Sequence, residues 1–120
     1  MATKEAAENK SLHAQANLYE KSIERHISYK ADLVKIPKDV SSDRIVALTE
    51  ARNDMRTYCE KVIQINVKLL KFPAEVTDAQ TDTDRVQQLL NTWSDTINSA
   101  QITVNKHLRE AREKMHQDQL

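Results

Sequence analysis

Apolar side chains recur every three or four residues through three long stretches of this chain, and two proline-centred stops separate them. The middle stretch, residues 43–71, has the cleanest pattern. Leu48, Ala51, Met55, Tyr58, Val62, Ile65, Leu69 and Phe72 alternate by three and four with no polar interruption. This is a 3.5-residue repeat, the period that winds helices around each other in a left-handed seam. The first stretch, residues 5–35, predicts a weaker stripe of Leu12, Ala16, Tyr19, Ile23, His26 or Ile27, and Leu33 or Val34, because alanine and histidine take core positions. Its start has no large aliphatic side chain and is expected to fray. The third stretch, residues 82–116, predicts Val86, Leu90, Trp93, Ile97, Ala100, Val104, His107 or Leu108, Ala111 and Met115.

The stops share one form. Lys35-Ile36-Pro37-Lys38-Asp39-Val40-Ser41 and Lys71-Phe72-Pro73-Ala74-Glu75-Val76-Thr77 both read basic, large apolar, proline, any, acid, valine, hydroxyl. Proline lacks the N–H that a helix interior needs and moves the residue before it out of the α region. Each stop therefore ends one helix, and a following hydroxyl or acid caps the next: Ser41 or Ser42 for the second helix, Thr81 with Asp84 for the third. Acids at the start of the third helix (Asp78, Asp82, Asp84) and bases at its end (Lys106, Arg109, Arg112, Lys114) match the helix dipole. No stretch alternates with the period of a strand. The expected fold is all-α: an elongated up-down-up antiparallel three-helix bundle with coiled-coil-like packing, one domain over residues 1–120, with helices at about 5–35, 43–71 and 82–116. Helices of that length span roughly 45 Å each.

Composition narrows the function classes. With 18 basic and 18 acidic side chains the formal net charge is zero. That balance argues against general binding of nucleic acid or anionic membrane, which needs a concentrated positive field. No apolar run approaches the ~20 residues of a membrane span. Cys59 is the sole cysteine, so no disulfide forms within the chain and a reducing compartment is the simpler expectation. The N-terminal residues lack the apolar core of a secretory signal. The expected setting is soluble, intracellular and cytoplasmic.

Chemistry-bearing spacings are few. Helical-bundle metal enzymes carry a Glu-x-x-His on each of two helices, or His-Glu-x-x-His; among the four histidines, His13, His26, His107 and His116, the second is absent and the first occurs once, at Glu113–His116, with no second copy to complete a site. His107 with Glu110 reads as a boundary histidine beside a solvated glutamate. His26 differs from a phosphotransfer histidine, because Lys30 follows it by four rather than three and the chain has no glycine. Cys59 reads as a buried small hydrophobe, with no histidine base near it in sequence. The acids from Glu75 to Asp84 lack the glycine and closing glutamate of a calcium loop. Trp93 reads as core, level with Tyr19 and Val62, in contact with Tyr19 or Tyr58 and with its indole N–H on a polar group at the bundle edge.

The segments Ile36-Pro37-Lys38-Asp39-Val40 and Phe72-Pro73-Ala74-Glu75 resemble the turns between the long helices of BAG-domain co-chaperones. That resemblance implies a three-helix bundle that binds an Hsp70 ATPase domain and promotes nucleotide release. Val86-Gln87 matches the family's Val-Gln pair early in the third helix. The family's arginine eight positions earlier falls on Ala79, and its expected second-helix acid falls on Lys68.

The expected function is a non-catalytic helical protein–protein interaction module, a scaffold, an adaptor or a subunit of a helical assembly. It is not expected to be an enzyme, and no cofactor or metal is implied. A BAG-type co-chaperone is the alternative, and a helical metal-binding or phosphotransfer protein a remote one. The expected partner is a helical protein or a second copy, met through the second helix, with no nucleic acid and no membrane. Ile63, Val67 and Leu70 are spaced by four and three and form a second apolar stripe, roughly 130° around the helix from the Val62, Ile65, Leu69 seam at about 100° per residue. A helix of a three-helix bundle has two neighbours, so this stripe is the candidate partner-binding face.

Overall fold

The computed structural model describes the backbone of residues 2–34 and 42–119, and the side chains of residues 4–28 and 42–118. Three helices account for nearly all of it: α1 (Ala2–Val34), α2 (Ser42–Leu69) and α3 (Val76–Gln119), with a 3₁₀ turn at Pro73–Glu75 leading into α3. Among the described residues there is no strand, and only residues 70–72 lie outside helices. The bundle is elongated, 79 × 18 × 17 Å. The first proline stop lies outside the described residues.

Helix α2 is the spine. It packs along its length against both α1 and α3, whereas α1 and α3 touch each other far less. The core follows from the heptad spacing of α2: Leu48, Ala51, Met55, Val62, Ile65 and Leu69 are all buried. Cys59 is fully buried as well, while Tyr58 is half-buried against the same cluster. From α1 come Leu12 and Ile23, with Ala16 and Tyr19 partly buried; from α3 come Val86, Trp93, Ile97, Ala100 and Val104, with Leu90 packed beside them. At the ambiguous position of α1 it is His26 that turns inward, leaving Ile27 exposed. The side chains of Leu33 and Val34 lie outside the described residues.

The turn after α2 is made without glycine and without any positive φ among the described residues. A left-handed C-cap would favour glycine. Here the helix instead tightens into i→i+3 bonds: Leu70 N–H donates to Val67 O at 3.3 Å and Phe72 N–H to Leu69 O at 3.0 Å. Phe72 is extended (φ −98°, ψ 110°), as a residue before proline must be, and Pro73 opens the 3₁₀ turn. Lys71 Nζ stands 5.3 Å from the Phe72 ring centroid and pairs with Glu8 of α1.

Helix α3 starts at Val76, about two turns before the expected start at residue 82. Thr81 and Asp84 are therefore interior residues and not a capping box. The early start is stabilised by Ala79, which is buried with Leu12, Ile65 and Leu69. An alanine is too small to stand out in a hydrophobic pattern that is otherwise threonine and aspartate. At its other end α3 runs past the described part of α2. Thr49 Oγ1 of α2 meets Gln101 Nε2 of α3 at 2.8 Å, and α2 begins at Ser42, so the facing surface of α2 runs out near Leu108. Of the alternatives His107 and Leu108 it is Leu108 that is half-buried on the core, whereas Ala111 and Met115, expected at core positions, are exposed.

Candidate functional site

The expected partner-binding stripe divides. Ile63 is half-buried and packs on the main core cluster, while Val67 is 60% exposed and Leu70 40%. Leu70 lies just past the last residue of α2, held by its bond to the Val67 carbonyl. Arg52 precedes Ile63 by about three helical turns and so shares its side of α2. There the edge is polar and closed onto α3: Arg52 Nη1 donates to Asn98 Oδ1 at 2.6 Å and to Gln101 Oε1 at 3.4 Å. One flank of α2 is thus sealed by polar side chains in its first half and presents bare apolar side chains at its C-terminal end.

A charged cluster ties the three helices together at one level. Buried Asn66 of α2 donates to Asp82 Oδ2 of α3 at 2.9 Å. Arg85 binds Asp82 Oδ1 from Nε at 3.0 Å and from Nη2 at 2.8 Å, and its Nη2 also reaches Glu20 Oε1 of α1 at 2.7 Å. Burial, then the neighbouring Asp82 carboxylate, raises the pKa of Glu20. Burial would raise Asp82 too, but the hydrogen bonds from Asn66 and Arg85 overcome it and hold Asp82 below its ordinary value. Beside this cluster α1 and α3 leave a polar cleft of about 180 Å³, whose lining includes His13, Asn17, Glu20, Asp78 and Asp82. His13 Nε2 lies 3.1 Å from Glu75 Oε2, and Asn9 donates to Glu75 Oε1 at 3.2 Å. These two contacts lower the pKa of Glu75, the Asn9 bond most. Despite its carboxylates, no group of three or more His, Cys, Asp or Glu among the described residues is placed to hold a metal ion.

Trp93 sits in the core, 2% exposed, as expected, in the cluster on which Tyr19 and Tyr58 pack. Its ring neighbour is His26, edge-on at 6.4 Å; His26 in turn lies edge-on to Tyr58 at 5.2 Å, and Tyr58 is 6.5 Å from Tyr19. The Thr49–Gln101 and Asn66–Asp82 contacts set the α2–α3 register, which puts Trp93 level with Met55 rather than Val62. Its Nε1–H is buried with no acceptor among the described residues, where a polar partner at the bundle edge was expected. His26 Nδ1 lies 3.0 Å from Ser22 O, and Nε2 lies 3.9 Å from Asp54. Cys59 has no exposed surface, and burial pushes its thiol up to about 11.

The α2 stripe was legible in the sequence; the Asn66–Asp82–Arg85–Glu20 cluster was not. Its signals were one asparagine directly beside the seam residue Ile65, and an Asp-x-x-Arg pair at helical i,i+3 spacing. No described helix is long and apolar enough to cross a membrane. Comparison of this chain with protein-family models, curated proteins and solved structures finds no match.

Proposed function

We propose that this chain is a non-catalytic helical interaction module that docks a helix of a protein partner on the Ile63, Val67, Leu70 edge of α2. The observation that carries this reading is the exposure of Val67 and Leu70 beside an Ile63 that is anchored in the core. Ile63 fixes the edge, so a partner finds the two apolar side chains already placed and loses little freedom on ordering them. Val67 is 60% and Leu70 40% exposed, so burying what remains of each contributes about 1 kcal/mol before the cost of association. Lys68 lies next to Val67 in sequence, which favours a partner helix whose apolar stripe is flanked by acids.

Cys59 lends no support to a catalytic reading, because the thiol is both buried and raised in pKa. The co-chaperone reading also gains no support at Ala79. The position where the resemblance puts a contacting arginine is packed against Leu12, Ile65 and Leu69, and offers no side chain to a partner.

The test is a double substitution, Val67→Asp with Leu70→Asp. Both side chains are exposed, so the variant is expected to keep its helical circular dichroism and thermal midpoint while losing the partner captured by the wild-type chain. Retention of that partner at full affinity overturns the assignment.

A further inference from the structure

The two ends of the rod carry surfaces that fit each other. At one end the seam of α3 continues past the described part of α2. Val104 is buried and Leu108 packs on the core, and the same spacing by three and four runs on to Ala111 and Met115, both exposed, Met115 at 64%. At about 100° per residue, Arg112 and Lys114 flank this extension on its two sides. At the other end, the α2–α3 turn and the first turns of α1 enclose an open recess of about 420 Å³. Ala6, Phe72, Pro73 and Ala74 give it an apolar floor, and Glu5 and Glu75 add carboxylates.

We propose that copies of this chain join end to end, the Ala111–Met115 seam of one seating in the Phe72–Pro73–Ala74 recess of the next, with Arg112 and Lys114 against Glu5 and Glu75. Charge selects this pairing over its rivals. Two α3 seams set face to face bring Arg112 and Lys114 of one copy against those of the other, whereas the mixed joint sets them against Glu5 and Glu75; the positive charge of Lys71 over Phe72 is already met by Glu8. Asn9 and His13 hold Glu75 at the recess by direct contacts. The joint is heterologous: the surfaces differ and lie at opposite ends of a 79 Å rod, so each added copy leaves one of each unused and the assembly grows as a filament. This surface is separate from the Val67, Leu70 edge, and either stands without the other.

Sedimentation velocity on the 120-residue chain tests it. The sedimentation coefficient is expected to rise with protein concentration and to fall back when salt screens the joint. Met115→Asp disables the seam and Ala74→Trp fills the recess; both positions are exposed, so both variants are expected to fold and to remain monomeric alone. Mixed together they still offer one intact seam and one intact recess. The mixture is therefore expected to form a two-chain species and nothing larger. A wild-type chain that stays monomeric at every concentration overturns the proposal. So does association that survives both single variants, and if such association is lost in the Val67→Asp, Leu70→Asp variant it belongs to the α2 edge instead.

Discussion

Asn66 of α2 donates its side-chain amide to Asp82 of α3 at 2.9 Å inside the bundle, and through Arg85 the same contact reaches Glu20 of α1. A buried polar group tolerates sliding poorly, because a shifted register strands it without a partner. A lone buried asparagine fixes register in coiled coils in this way. Asn66→Ala is expected to lower the unfolding free energy by about 1–3 kcal/mol, the cost of leaving the Asp82 carboxylate short of a donor. Paired with Asp82→Ala in a double-mutant cycle, it is expected to give a favourable coupling energy; strictly additive effects in chemical denaturation would mean the contact does not act as a unit.

The same cluster sets an opposed pH dependence. Glu20 has a folded pKa raised above 4.5, so its contribution is present at low pH and is lost as pH rises through the folded value. Asp82 has a folded pKa below 3.8, so its contribution is present above 3.8 and is lost as pH falls through the folded value. Glu20→Gln mimics the protonated side chain. It is expected to be at least as stable as wild type at neutral pH, with the difference narrowing as pH falls toward the raised Glu20 value. Thermal midpoints of the two proteins across that range check this; a difference that widens on acidification has the wrong sign.

Cys59 is enclosed by the core, and burial lifts its thiol to about 11, so at neutral pH it is neither reachable nor ionised. A thiol-reactive aromatic disulfide is expected to modify the native protein on the order of a hundredfold more slowly, or less, than the denatured chain, at a rate set by opening of the bundle. Equal rates in both states would place Cys59 at the surface.

Trp93 buries its indole N–H without an acceptor among the described residues, so part of what its volume contributes is offset. Trp93→Phe removes that orphan donor, and the smaller ring is expected to cost about 1 kcal/mol, below the range for large-to-small core changes. Wild-type emission is expected at the short wavelengths of a dry tryptophan. A loss of several kcal/mol in the variant, or emission typical of water, would show that the indole N–H has found a partner.

The fold was largely legible because heptad periodicity and proline act locally. From Leu48 to Leu69 each apolar residue of the seam faces the core or its edge, and α2 ends at Leu69, just before the second proline stop that was expected to end it. What escaped notice depended on other helices. Ala79 earns its burial from Leu12 on α1, and no spacing within α3 announces that. The level of Trp93 against α2 likewise follows from the Asn66–Asp82 and Thr49–Gln101 contacts, which no spacing within α3 announces. Met115 matched the seam in spacing, but spacing does not say where the facing helix begins. The α2 edge was legible as a stripe, while its division into an anchored Ile63 and exposed Val67 and Leu70 required the position of α3.

Position-resolved photo-crosslinking tests the docking edge most directly. A photoreactive residue is placed in turn at Val67, at Leu70 and at the exposed Gln64, and the chain is returned to its native source and illuminated. The expected result is one shared crosslinked protein at Val67 and Leu70, absent at Gln64 and absent after Val67→Asp or Leu70→Asp is introduced at the other position. Crosslinks of equal yield and the same composition at all three positions, or none at Val67 and Leu70, would contradict a helix-docking edge on α2.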